Sequence, residues 1–112
     1  MLAEFTIYPT DETHMSKDVA GMTEILEDSG INFRLGPMGT TLEGDWKQIM
    51  SAIERCHEAM VKHHGRIITS ITIDHRKDKP NHLDEMVAAV ERHLGHTTHE
   101  VQLAEANWLH DF

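Results

Sequence analysis

Glu4, Thr6 and Tyr8 occupy alternate positions of "LAEFTIY", and Thr41, Glu43, Thr72 and Asp74 recur with the same period in two later β-rich stretches. Side chains two apart on an extended strand share a face, so this spacing gathers hydroxyls and carboxylates on one surface. Arg34, Ile68 and Ser70 fall on the same side. Carboxylates there suit a cationic group, and hydroxyls that both donate and accept suit a small polar ligand. Two readings stand side by side. The surface is either an open sheet face where Thr and Ser sit for their strand preference, or a polar pocket roofed by a second subunit.

Beside this surface lies "LGPMGTTLEGD", with Gly36, Gly39 and Gly44 around one short strand. A hairpin turn and a sharp strand–helix junction account for two of these glycines. Gly39 is left over, and implies a close approach of its backbone to a partner or ligand. After the last strand, "IDHRKDKP" sets Arg76, Lys77 and Lys79 among Asp74 and Asp78. With Arg34, Arg76 and Lys79 are candidates for an anion site or an inter-subunit ion pair, against the plainer reading of a solvated loop.

Other chemistries find less support. His93, His96 and His99 recur every three residues, but Gly95 interrupts them, and His63-His64 ends a helix. No zinc-type motif occurs, so surface histidines titrating near neutrality are expected rather than a metal site. The single cysteine, Cys56, lies on an apolar helical stripe. Ser70 and Thr72 have no evident histidine partner, and no glycine-rich phosphate loop is present. Nothing here asks for an enzyme or a resident cofactor.

The elements that must position these groups follow from periodicity. Strands are expected at Leu2–Tyr8, Ile31–Leu35, about Gly39–Glu43 and Arg66–Asp74. A first helix with Ser16 as N-cap carries Val19, Met22, Ile25 and Leu26 and stops near Ser29-Gly30. A second, capped by Asp45, has the stripe Trp46, Ile49, Met50, Ile53, Cys56 and Met60, and Gly65 as its C-cap. A third carries Leu83, Met86, Val87, Val90 and Leu94 and closes at Gly95. The order β-α-β-β-α-β-α is the α+β ferredoxin-like plan: a four-stranded antiparallel sheet with helices on one face. Right-handed crossovers place the first and third strands centrally. Residues 1–95 read as this domain, and 96–112 as an arm packing on it or on a neighbouring subunit.

The chain has 112 residues, net charge −9, ten histidines and one cysteine. That length suits one modest core. The acidic balance argues against a nucleic-acid partner, and no apolar run approaches the ~18 residues of a membrane span. One cysteine excludes an internal disulfide framework, and the N-terminus lacks a signal-peptide pattern, so a cytoplasmic location is expected.

"AEFTIYP", the serine-started first helix, "SGINFRLGPMGTTLEGD", "AIERCHEAM" and "ITSITIDHRKDKP" together resemble the small thiamine-binding family. The resemblance covers about residues 1–94. It implies non-enzymatic binding of thiamine or its hydroxymethylpyrimidine moiety by dimers that assemble into tetramers. Carried over by position, Gly36, Pro37, Met38, Gly39, Thr40, Thr41 and Glu43 match the hairpin. Asp74, Arg76, Asp78 and Lys79 match the loop, and Ser16 matches the helix-start serine. Two residues further, where many relatives carry an aromatic, this chain has Asp18. Together with the polar-face residues read from strand alternation, the expected ligand residues are Glu4, Thr6, Tyr8, Ser16, Gly39, Thr40, Thr41, Glu43, Thr72 and Asp74. The alternatives are a homo-oligomeric assembly or regulatory protein without a small ligand, and a small metabolic enzyme.

Overall fold

The computed structural model describes residues 1–97. The expected arm therefore lies outside the described residues, apart from His96 and Thr97. The elements are β1 (Leu2–Pro9), α1 (Ser16–Ser29), β2 (Asn32–Leu35), β3 (Thr40–Glu43), α2 (Trp46–Val61), β4 (Ile67–Asp74) and α3 (Glu85–Leu94). The four strands form one sheet in the order β2-β3-β1-β4, every neighbouring pair antiparallel. This is the α+β ferredoxin-like arrangement, with β1 and β3 central.

Alternation along β1 sends Ala3, Phe5 and Ile7 into the core, where they meet Met22 and Leu26 of α1 and Ile49, Ala52, Ile53, Cys56 and Met60 of α2. Leu42, 0% exposed, joins them from β3. The Cys56 thiol approaches the Met22 carbonyl at 3.8 Å, and burial pushes its pKa up to about 11.

Capping explains where the helices start and stop. The Asp45 carboxylate accepts from the Gln48 N–H at 2.8 Å, and the Gln48 side chain accepts from the Asp45 N–H at 2.9 Å. This reciprocal pair satisfies two orphan donors of α2. Gly30 and Gly95 close α1 and α3 at φ 75° and 77°, a conformation glycine adopts without penalty.

Several expectations need correction. Ser16 is the first residue of α1 and not its cap; the N-cap is Met15, whose side chain makes no capping bond. Helix α2 ends at Val61 with Lys62 as its C-cap, one turn before Gly65. Trp46 stands in the opening turn and is 57% exposed, off the buried stripe. Helix α3 has the expected stripe but no buried residue, and Met86, Val87, Val90 and Leu94 remain exposed. Its N-terminal approach is tied instead to polar side chains of β2 and β3.

Candidate functional site

Strand register builds the polar face. Arg34 pairs with Thr41, Thr41 with Glu4, and Glu4 with Thr72, making one row across all four strands. The adjacent row runs Asn32, Glu43, Leu2, Asp74. Thr6 faces Ser70 and Tyr8 faces Ile68 on the same side.

Two of these groups are engaged within the chain. Glu43 accepts from Asn32 Nδ2 at 2.8 Å, from the Leu83 N–H at 3.1 Å, and lies 2.8 Å from His82 Nδ1. Arg34 is ion-paired with Asp84. Residues 82–84 therefore fold against the Glu43 end of the polar face and fasten α3 there. Of the loop cations, Lys79 meets Glu85 at 3.3 Å. Arg76 makes no ion pair among the described residues, although its charge helps lower the pKa of Glu85.

The Asn32 amide, with help from His82 and the Leu83 N–H, holds the Glu43 carboxyl below its ordinary pKa. A depressed folded-state pKa adds stability above the unfolded value, and that stability is lost as pH falls through the folded one. The denaturation midpoint is accordingly expected to fall on acidification below the ordinary carboxylate range. Glu43→Gln should flatten that fall; an unchanged pH profile would show that the clasp contributes nothing.

A second location emerges from the hairpin. Gly36 N–H donates to Gly39 O at 2.9 Å and closes a turn over Pro37 and Met38. A Cβ on Gly39 would stand 3.1 Å from Thr6 Cγ2, 3.2 Å from Glu4 Cγ and 3.2 Å from Phe5 O. The leftover glycine is thus explained by the close approach of the hairpin to β1. Beyond that contact the hairpin departs. Strand pairing between β1 and β3 ends at Phe5 and Thr40.

The backbone of β1 alternates its bonding direction. Gly44 N–H donates to Met1 O on the β3 side, and Thr10 N–H to Arg66 O on the β4 side. Ile7 therefore faces β3, and its counterpart in the register would be Met38, which lies in the turn. Among the described residues, the Ile7 N–H and C=O have no strand partner on that edge.

Ile7 lines a cleft of about 370 Å³ whose other walls are α1 and the turn. Met15, Val19, Met22 and Leu26 line it from the α1 side, and Leu35, Pro37 and Met38 from the hairpin. Its lining includes Thr6, Tyr8, Gly39 and Thr40 of the expected ligand residues. Glu4, Thr41, Glu43, Thr72, Asp74 and Ser16 do not line it. Thr23 was not anticipated. It also lines the cleft, and its hydroxyl already donates to the Val19 carbonyl at 2.8 Å.

The sequence reading also passed over His64, treated only as a helix end. Its Nδ1 is 3.1 Å from Asp11 Oδ1, and its Nε2 is 3.2 Å from each oxygen of Asp18. Asp18, and to a lesser degree Asp11, raise the pKa of the imidazole.

Comparison with known proteins agrees with this architecture. The family model described as thiamine-binding protein matches residues 3–91. The UPF0045 protein YqgV of Bacillus subtilis is 35% identical over 100 residues, covering 83% of this chain and 96% of its own. The UPF0045 protein MJ1052 of Methanocaldococcus jannaschii is 31% identical over 91 residues, 80% of this chain and 91% of its own. The crystal structure of MJ1052 superposes with a TM-score of 0.73 over 80% of this chain and 93% of that one. A Thermotoga maritima protein whose name links it to thiamine biosynthesis or salvage shares the fold, with a TM-score of 0.69 at 20% identity over 80% of this chain and 96% of its own. On the family match and the two UPF0045 relatives, this chain belongs to the thiamine-binding protein family.

Proposed function

We propose that this chain is a non-enzymatic binding protein for thiamine or a smaller molecule carrying its aminopyrimidine. The observation that carries the reading is the unpaired Ile7 backbone edge within an apolar cleft at the hairpin. An aminopyrimidine is flat and presents an amino donor beside a ring-nitrogen acceptor, the complement of one N–H and one C=O on a strand edge. The volume lies at the small end of the range for ligand pockets, roughly 300–1,000 Å³. Methionines 15, 22 and 38 line the cleft, and their unbranched side chains adapt to a ring. The thiazolium carries positive charge, and the exposed Glu4 lies on the polar face beside Gly39, which lines the cleft.

The polar face supports a second placement, because Glu4, Ser70, Thr72 and Asp74 are exposed side by side on it. There the ligand would lie under a second copy of the chain. The exposed stripe of α3 favours self-association into a dimer or tetramer, since apolar side chains at helical spacing gain most from a partner.

Calorimetric titration with thiamine, and in parallel with hydroxymethylpyrimidine, tests the function. Saturable binding at micromolar or tighter affinity is expected, weakened about tenfold or more by Thr40→Val combined with Met38→Ala. Loss of binding in Thr41→Ala with the cleft variants unaffected would move the ligand to the polar face. Absence of heat with both ligands would remove the function itself.

A further inference from the structure

On the face of α1 next to the one that lines the cleft, three segments converge on one imidazole. Asp11 and Glu12 come from the loop after β1, Asp18 from the first turn of α1, and His64 from the chain just past α2. One donor atom each from Glu12, Asp18 and His64 lie within 4.8 Å of one another. We propose that Glu12, Asp18 and His64 form a binding site for a divalent first-row metal ion, with Asp11 orienting the histidine.

The geometry at Nε2 carries the argument. Both Asp18 oxygens stand 3.2 Å from it. A protonated ring sharing one N–H between both oxygens has this spacing, and an ion that takes the proton's place keeps it. An ion held by one nitrogen and a two-oxygen carboxylate gives equal spacing: bonds of about 2.1 Å at 90° to 110° put neighbouring donors roughly 3.0 to 3.4 Å apart. The other ring nitrogen supplies an independent sign. Nδ1 is 3.1 Å from Asp11 Oδ1, outside the donor set. A carboxylate on the far nitrogen of a ligating histidine fixes the tautomer, leaving the Nε2 lone pair free for a metal.

Burial agrees, and Lys17 lines the same cavity as the three donors. The His64 side chain is 7% exposed and that of Asp18 16%, whereas Glu12 is exposed and can close over an ion from solvent. The histidine at the α3 clasp is different: His82 is 65% exposed and meets one carboxylate, which Asn32 already occupies. One imidazole with several carboxylate oxygens suits zinc, manganese or iron(II). It does not suit calcium, which takes oxygen donors throughout, or copper(I), which takes thiolates. The ion would staple the loop to both helices and is independent of what the cleft binds.

The test is titration of the chelator-stripped full-length protein with zinc chloride and, separately, manganese chloride, followed by calorimetry. One ion per chain is expected, with affinity weakened at least tenfold in His64→Ala and in Glu12→Gln. Asp11→Asn should also weaken it, about tenfold, as loss of an orienting carboxylate does. Glu12 takes part in no hydrogen bond among the described residues, so Glu12→Gln should fold even if His64→Ala does not. Nitrogen-15 spectra of the histidine rings add a second readout, in which Nε2 of His64 shifts on loading. No saturable binding of either ion would overturn the site. Binding unchanged in Glu12→Gln, with no shift at His64, would also do so and would place the ion at other histidines.

Discussion

Leu42→Ala is expected to destabilise the protein by about 3 kcal/mol, within the range of roughly 2–5 kcal/mol for leucine deletions in cores. Leu42 has no solvent exposure and pairs in register with Ala3 on β1 and Phe33 on β2. Strand β3 spans only Thr40–Glu43, and it alone joins β2 to the rest of the sheet. A cavity there loses the transfer energy of the removed carbons, and the neighbouring small residue, Ala3, cannot fill it. Typical domains are stable by about 5–15 kcal/mol, so this one change removes a large share. Urea denaturation of the two proteins measures it. A loss under about 1 kcal/mol would mean that the strand junction is not where the core is anchored.

The second large effect is at Gly39. Gly39→Val is expected to cost about 2 kcal/mol, as overpacking typically does, and to weaken ligand binding at the cleft about tenfold or more. Three atoms wait at 3.1–3.2 Å from the new Cβ, and one of them is the Phe5 carbonyl oxygen, which is fixed in the sheet. The hairpin must lift away from β1, and the cleft wall made by Pro37 and Met38 lifts with it. Stability by denaturation and affinity by calorimetry should both fall. Stability lost with thiamine affinity intact would show that the hairpin is only structural.

Much of this architecture is legible in the residues alone. Period-two alternation in "LAEFTIY" sorts Phe5 and Ile7 from Glu4, Thr6 and Tyr8, and the register bears that division out. Asp45 followed three residues later by Gln48 marks the start of α2 because both halves of the reciprocal cap are local. What escapes is whatever depends on distant partners. Glu43 reads as a free carboxylate until His82 and Leu83, 39 and 40 positions on, come back to it. His64 reads as a helix end because Asp11 and Asp18 stand 53 and 46 residues before it.

Helix α3 teaches the complementary point. Its stripe has the spacing of a core helix, yet periodicity records only that a face wants covering, and among the described residues nothing buries it. Thr40 likewise reads with Thr41 as a pair, although adjacent strand residues face opposite sides and only Thr40 reaches the cleft.

The buried thiol has a consequence of another kind. With its pKa pushed up to about 11, only a trace of Cys56 is ionised at neutral pH, and thiolate is the reactive form. With no solvent exposure, even that fraction meets no oxidant or alkylating reagent while the core is closed. The chain's one cysteine is therefore silent to redox chemistry in the folded protein and becomes a chemical clock for opening. Each modified molecule records an occasion on which the contact between α1 and α2 came apart.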